Sequence, residues 1–121
     1  MKESLSQWLS RRTQVRGVLA CGVRFPDKTS LTQSWSPEFE PAPLENAWRC
    51  ASDAFQVLRG SSFPNERVRW IYENAVLYCA RREDGTCLGI FAAREKGAVD
   101  AAEIEQLVAE FCALRPDAHA S

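Results

Sequence analysis

The sequence is poor in the residues on which most catalytic sites depend. Its one histidine, His119, lies close to the end of the chain, so a catalytic triad, a histidine general base or a histidine-containing metal cluster is not expected. A cysteine nucleophile would lack a histidine to activate it. Paired acids such as Glu45 and Asp53 fall on predicted exposed helix faces or in turns. These absences predict a protein that is not an enzyme and that holds no cofactor or metal.

Paired cysteine motifs, a basic excess and long apolar runs are also missing. The five cysteines form no CxxC pair and are odd in number, which argues against a zinc site or a disulfide framework and favours buried free thiols. The net charge of −1 argues against a nucleic-acid partner. No apolar run reaches membrane-spanning length, and the N-terminus lacks the apolar core of a signal peptide. We therefore expect a cytoplasmic protein with no membrane insertion.

The chain does have the composition of a globular domain. Its 121 residues are 45% hydrophobic and 26% charged, which is the balance of an ordinary folded protein. We expect a single domain over residues 1–121, ordered over about residues 3–115. Pro116 ends the last predicted helix and begins a C-terminal tail at residues 116–121, of which Asp117–Ser121 are expected to fray.

Three β-prone runs follow one another closely in the C-terminal half. The predicted strands are Arg67–Glu73, Ala75–Ala80 and Thr86–Ala93. Connections this short allow only antiparallel neighbours, because a parallel return needs a crossover of about a dozen residues. The last of the three is apolar on both faces and is expected to be central. If Arg81 pairs with Thr86 across the turn, Cys79 and Cys87 point to opposite faces of the sheet.

The N-terminal half predicts a helix and a hairpin. The helix covers Met1–Thr13, and the strand that follows it covers Val15–Phe25. Simple alternation along that strand places Val18 and Ala20 on the same face. Ser30–Trp35 is a short polar partner strand of the kind found at sheet edges.

Two more helices complete the predicted fold. Prolines place Ser36–Pro43 in a loop, and an apolar stripe over four turns predicts a helix at Leu44–Leu58. A second stripe, after an acidic cap at Asp100, predicts the last helix. The element order is αββαβββα, an α+β fold with a five-stranded antiparallel sheet and flanking helices. Strands that are apolar on both faces belong in the middle, which predicts the spatial order 2-1-5-4-3 and makes Ser30–Trp35 and Arg67–Glu73 the edges.

Aromatic residues on the outer strand are the main candidates for function. Trp70 and Tyr72 alternate with Arg67 and Arg69, and the strand has no proline to block a further strand. An edge of this kind recruits another strand, and Trp, Tyr and Arg are enriched at the centres of interfaces. The alternative is that both rings pack beneath a helix. Trp48 is a second candidate anchor, for which core burial is the alternative.

Four segments and the element order together resemble a known family. The segments are VRGVLACGV at Val15–Val23, the helix at Leu44–Leu58, the Asp84-Gly85 turn and CLGIF at Cys87–Phe91. Over about residues 3–115 the chain resembles the roadblock / dynein light chain family. The hairpin at Pro26–Trp35 lacks the Asp-Gly turn usual in the family, and WIYEN at Trp70–Asn74 is distinctive. These departures indicate a divergent branch of bacterial roadblock-like domains.

The resemblance implies a function as well as a fold. Proteins of this family are non-catalytic homodimers whose third strands pair across a two-fold axis into one larger sheet, with the second helices side by side. Carried onto this chain, the seam is Arg67–Glu73 with Leu44–Leu58. The proposed contact residues are Trp48, Phe55, Val68, Trp70 and Tyr72. The family's members act as adaptors or regulators, often of small Ras-like GTPases, so a GTPase is the implied partner.

A ligand-binding domain is the second hypothesis. A profilin-like sensor domain could hold a small ligand between sheet and helix, and Gly17, Gly22 and Gly89 could leave room for it beside the strands. A monomer that a metabolite stabilises would support this hypothesis. A homodimer without such a ligand would support the adaptor or regulator.

Overall fold

The computed structural model of the protein describes residues 2–12, 15–37, 39–59, 67–72, 75–82, 84–94 and 99–114. Its elements follow in the predicted order: α1 (Lys2–Arg12), β1 (Val18–Arg24), β2 (Ser30–Ser34), α2 (Pro41–Arg59), β3 (Arg67–Ile71), β4 (Ala75–Arg81), β5 (Cys87–Ala93) and α3 (Ala101–Ala113). His119 and the predicted tail at residues 116–121 lie outside the described residues. Within the described part of the chain, no helix has both the length and the apolarity needed to cross a membrane.

The five strands form one antiparallel sheet in the order β2-β1-β5-β4-β3, which confirms the predicted α+β topology. β5 lies in the middle because both of its faces are apolar. Leu88, Ile90 and Ala92 belong to the core on one face, and Cys87 and Phe91 belong to the core on the other. β2 and β3 are the two edges, as predicted.

Helices cover both faces of the sheet, so the fold has three layers. α1 and α3 pack on one face, where Leu5 and Phe111 are buried. α2 lies across the other face, where it contacts β2, β1, β5 and β4 and buries Phe55. Arg12 ties α1 to α3, because its Nε and Nη2 donate to the two carboxylate oxygens of Glu110 at 2.8 and 2.6 Å.

α2 begins at Pro41, earlier than the predicted start at Leu44. The N–H of Leu44 bonds to the carbonyl of Glu40 at 3.3 Å, which is the first bond of the helical ladder. The N–H groups of the first helical turn have no partner within the helix, so Pro41 and Pro43 remove only donors that would be unused there. The predicted loop Ser36–Pro43 is therefore too long, and its last part is helix.

β1 is shorter than predicted and contains an irregularity. It starts at Val18, directly after Gly17, which takes a φ of 92°. Val18 pairs with Ala92 and Ala20 pairs with Phe91, so β1 carries one extra residue, as in a β-bulge. Val18 therefore lies on the α1–α3 face and Ala20 on the α2 face, and the prediction of a shared face is wrong.

The β4–β5 turn shifts the predicted register by one residue. Arg81 pairs with Cys87, and Cys79 pairs with Gly89. The turn accommodates the extra residue because Gly85, at a φ of 93°, supplies its left-handed position. Cys79 and Cys87 are free thiols that both lie on the α2 face, so the prediction that they point to opposite faces is wrong.

Candidate protein–protein interface

β3 ends the sheet with a row of backbone groups that no strand of the described residues pairs. The N–H of Tyr72 donates to the carbonyl of Ala75 at 2.8 Å, so it points toward β4. Backbone groups alternate in direction along an antiparallel strand, and the N–H groups of Arg69 and Ile71 therefore point away from β4. A row of this kind is a template for another strand.

The side chains of β3 divide between a half-buried face and an exposed one. Val68 and Trp70 pack, partly buried, against the core beneath α2. Arg67, Arg69 and Ile71 alternate with them and are exposed. Ile71 keeps 59% of its surface accessible, so a large apolar side chain stands uncovered beside the open edge.

Aromatic rings connect this edge to the core. The centre of the Tyr72 ring lies 6.1 Å from that of Phe91, which lies 5.1 Å from Phe39 and 5.7 Å from Trp48. Tyr72 is 50% exposed, whereas Phe91 is 9% exposed. The cluster therefore fixes Tyr72 at the edge while half of its surface stays accessible.

A groove of about 360 Å³ separates α2 from the edge strand. It is lined by Ala47, Cys50, Ala51, Trp70, Tyr72 and Leu77. The same side of α2 continues from Cys50 to Ala54 and Val57, because residues three and four apart share a helix face. Val57 is 73% exposed. The apolar surface of the edge strand thus extends along α2.

Sequence reasoning missed Cys50, Val57 and Ile71 as surface candidates. For α2 a signal was present, because Cys50, Ala54 and Val57 make the helix apolar over a wider arc than one buried stripe requires. For Ile71 the signal was weak, since one apolar residue that shares a strand face with arginines is common on protein surfaces.

Two of the proposed contact residues lie in the core. Phe55 is fully buried and Trp48 is 2% exposed. In the single chain these two side chains have almost no accessible surface to offer a second molecule. Val68, Trp70 and Tyr72 keep accessible surface, and the interface remains a proposal on these three residues.

The indole of Trp48 fills the space that small residues leave on the sheet. Gly22 of β1 and Gly89 of β5 are cross-strand partners, and a Cβ at either position would come within 3.0 Å of the ring. The indole Nε1 donates to Thr32 Oγ1 at 3.1 Å. The room that these glycines were expected to leave for a small ligand is therefore occupied by the protein's own side chain.

Two of the thiols near this region are buried beneath α2. Burial raises the pKa of the Cys79 thiol and that of the Cys87 thiol, so both stay protonated at neutral pH. Among the residues that the structure describes, no group of three or more His, Cys, Asp or Glu side chains could hold a metal ion.

Comparison with known proteins supports the fold through structure alone. No protein-family model matches the sequence, and no curated protein matches it. A Roadblock/LC7 domain from Streptomyces avermitilis is similar with a TM-score of 0.70 at 18% identity, over 88% of this chain and 90% of that one. The gliding protein MglB from Thermus thermophilus is similar with a TM-score of 0.66 at 13% identity, over 92% and 84%. A structure of MglB with a tetrameric arrangement gives a TM-score of 0.62 at 14% identity, over 91% and 86%.

Proposed function

We propose that this chain, which has the roadblock fold, forms a non-catalytic homodimer that serves as an adaptor or regulator of a protein partner. The observation that supports the proposal most is the open edge of β3, where the outward N–H groups of Arg69 and Ile71 adjoin the exposed surface of Ile71 and Tyr72. A second copy of β3 would satisfy these groups and join two five-stranded sheets into one. The groove beside α2 would add apolar area to the contact.

Charge limits how two copies of β3 can pair. An antiparallel pair with its two-fold axis through Arg69 would set that arginine opposite itself, which is unfavourable. An axis through Trp70 sets Arg69 opposite Ile71 of the second copy and sets the two Trp70 side chains opposite each other. We favour the second register, because it separates the like charges and brings two aromatic rings together.

The mass in solution tests the dimer. Sedimentation velocity at micromolar concentration should give twice the mass of one chain. Trp70→Arg places a charge in the seam and should give the mass of one chain. Trp35→Arg is the matched control, because Trp35 is 37% exposed and follows the strand at the opposite edge of the sheet, and this variant should remain dimeric. A wild-type protein that is monomeric over the whole concentration range would refute the dimer.

We further propose that the dimer acts in the cytoplasm on a small Ras-like GTPase. Support comes from the family resemblance, which implies such partners, and from the net charge of −1, which does not favour nucleic acid. The test is binding of the purified protein to a Ras-like GTPase of the same organism, loaded with GDP or with a GTP analogue. Binding that depends on the nucleotide supports a regulator, and equal binding to both forms supports an adaptor. Absence of binding to either form refutes the GTPase partner.

A further inference from the structure

Two arginines and a buried thiol form a row across three strands. Arg24 of β1 pairs with Cys87 of β5, and Cys87 pairs with Arg81 of β4. Side chains directly opposite each other in antiparallel strands share a face, and Cys87 belongs to the core beneath α2. Adjacent strands are about 4.8 Å apart, so the Cα atoms of the two arginines lie about 10 Å apart, and both side chains project on the α2 side of the sheet.

These arginines line a groove of about 370 Å³, which we call the arginine groove. Lys28 adds a third cation from the β1–β2 turn, and α2 contributes the neutral polar side chains of Ser52 and Gln56. A volume of this size is at the small end of the range for ligand sites. The arginine groove therefore suits a small anion with a polar organic group.

Two acidic side chains also line the arginine groove, and they differ in how far they offset its positive charge. Asp84 forms an ion pair with Arg82 at 2.7 Å. Asp53 is exposed on α2. Among the described residues, no carboxylate oxygen lies within 4.0 Å of the guanidinium of Arg24 or Arg81. The lining keeps a positive excess, and Asp53 is the acid that opposes it.

The cations of the arginine groove are positioned by the fold. Arg24 Nη1 donates to the carbonyl of Lys28 at 3.4 Å, which links the arginine to the β1–β2 turn. Arg81 Nη2 lies 3.8 Å from the point that a Cβ on Gly85 would occupy, so it sits against the β4–β5 turn. Burial raises the pKa of the Cys87 thiol, and the charges of both arginines oppose that rise. Both guanidinium groups are therefore close enough to Cys87 to influence the same thiol.

We propose that the arginine groove binds the phosphate group of a small phosphorylated molecule. Guanidinium forks match phosphate oxygens in geometry and charge, and two arginines facing one groove can hold one phosphate between them. The exposed amide of Gln56 is available to the organic part of the ligand. Ser52 and Gln56 lie on a different side of α2 from Cys50 and Val57, so the site does not depend on the proposed dimer.

Isothermal titration calorimetry at constant ionic strength tests this site. The probes are inorganic phosphate and glucose 6-phosphate, with acetate as the comparison anion. Saturable binding of at least one phosphate probe is expected, with no comparable binding of acetate. Tighter binding of glucose 6-phosphate indicates contacts to the organic part, and equal binding indicates that the phosphate alone is recognised. Arg24→Gln and Arg81→Gln should each weaken binding about tenfold, because each removes a charged donor.

One variant should bind phosphate more tightly than the wild type, a result that a loss of folded structure would not produce. Asp53→Asn removes the opposing charge and should tighten phosphate binding about threefold. Arg49→Gln is the matched control, since Arg49 is an exposed arginine of α2 outside the arginine groove, and it should leave binding unchanged. The proposal is overturned if the wild type shows no saturable phosphate binding, if acetate binds equally well, or if Arg49→Gln loses as much affinity as Arg24→Gln.

Discussion

Trp48 fills the space between α2 and the centre of the sheet. Its indole packs against the cross-strand pair Gly22 and Gly89, and its Nε1 donates to Thr32 Oγ1. The buried ring thus has a partner for its polar atom and connects α2 to three strands of the sheet. A side chain larger than hydrogen at either glycine would have to displace the ring.

Substitution of these glycines tests the packing. Gly22→Ala or Gly89→Ala should lower the free energy of unfolding by about 1–3 kcal/mol, because the new Cβ overlaps the indole. Urea unfolding measures the loss. In a Trp48→Leu background the same substitution should cost less, because the smaller side chain leaves room. An equal cost in both backgrounds would show that the ring is not what restricts these positions.

Arg82 is a buried cation with a structural role. Its side chain is 5% exposed, and its Nη2 pairs with Asp84 at 2.7 Å. Nη1 donates to the carbonyl of Leu114 at 3.0 Å, and the guanidinium carbon lies 5.0 Å from the centre of the Phe111 ring. One side chain therefore links the β4–β5 turn to the end of α3.

Removal of the acid from this pair should be costly. Asp84→Ala leaves the Arg82 guanidinium buried without its carboxylate, and we expect a loss of about 3 kcal/mol in the free energy of unfolding. The double variant Arg82→Met/Asp84→Ala should lose less than the sum of the two single variants, because it leaves no unpaired charge. Urea unfolding of the wild type, the two single variants and the double variant gives the coupling free energy between Arg82 and Asp84. Strictly additive losses would argue against the ion pair.

At the scale of elements, the contact of α1 with α3 depends on pH. Hydrogen bonds from Arg12 lower the pKa of Glu110 below its ordinary value. A carboxyl group with a lowered pKa stabilises the fold above its unfolded pKa, and this contribution is lost as the pH falls through the folded pKa. The Arg12 and Glu110 side chains are 40% and 29% exposed, so the contribution is small.

The pH dependence can be measured with one substitution. Glu110→Gln should reduce the free energy of unfolding by up to about 1 kcal/mol at pH 7. Its difference from the wild type should disappear at pH values below the lowered pKa of Glu110. Glu105→Gln is the control on the same helix. Both side chains of the Glu105–Arg67 ion pair are more than half exposed, so the pair should contribute little to the free energy of unfolding. A difference that persists at acid pH would mean that the charge is not responsible.

Apolar patterns were sufficient to predict which elements form and how the strands are ordered. β5 is apolar on both faces, and that property alone predicts its central position. The same patterns could not locate the bulge between Val18 and Ala20 or the register of the β4–β5 turn. Both depend on one inserted residue, and strands with apolar residues on each face accept such a shift without exposing a hydrophobic side chain.

The candidate interface was predictable in its position on the sheet but not in the packing around it. The position of Trp70 and Tyr72 at an edge followed from the strand order, which the structure confirms. Core burial was one of the two roles that the sequence left open for Trp48, because a helix stripe does not tell which of its side chains face the sheet centre and which face the rim. The glycine pair that receives the ring becomes visible only when the register of β1 and β5 is known.

At the scale of the whole molecule, the two edges of the sheet differ. At the end of β2, Ser34 Oγ lies 2.7 Å from the carbonyl oxygens of both Ser36 and Phe39 and can donate to either, so the segment that leads to α2 folds back on that edge. At the end of β3 the carbonyl of Tyr72 accepts from Arg94 Nη1 at 2.9 Å, and the side chains of Ile71 and Tyr72 stay 59% and 50% exposed beside the strand. This asymmetry is why the proposed dimer uses β3 and not β2.

Residue-resolved amide hydrogen exchange at several protein concentrations tests the pairing of β3 most directly. If two copies pair there, the amides of Arg69 and Ile71 are protected at high concentration and exchange rapidly on dilution or in the Trp70→Arg variant. The amides of Val68 and Trp70 point toward β4 and should stay protected throughout, which provides an internal control. Rapid exchange of Arg69 and Ile71 at every concentration would show that the edge stays open in solution and would contradict the proposed homodimer.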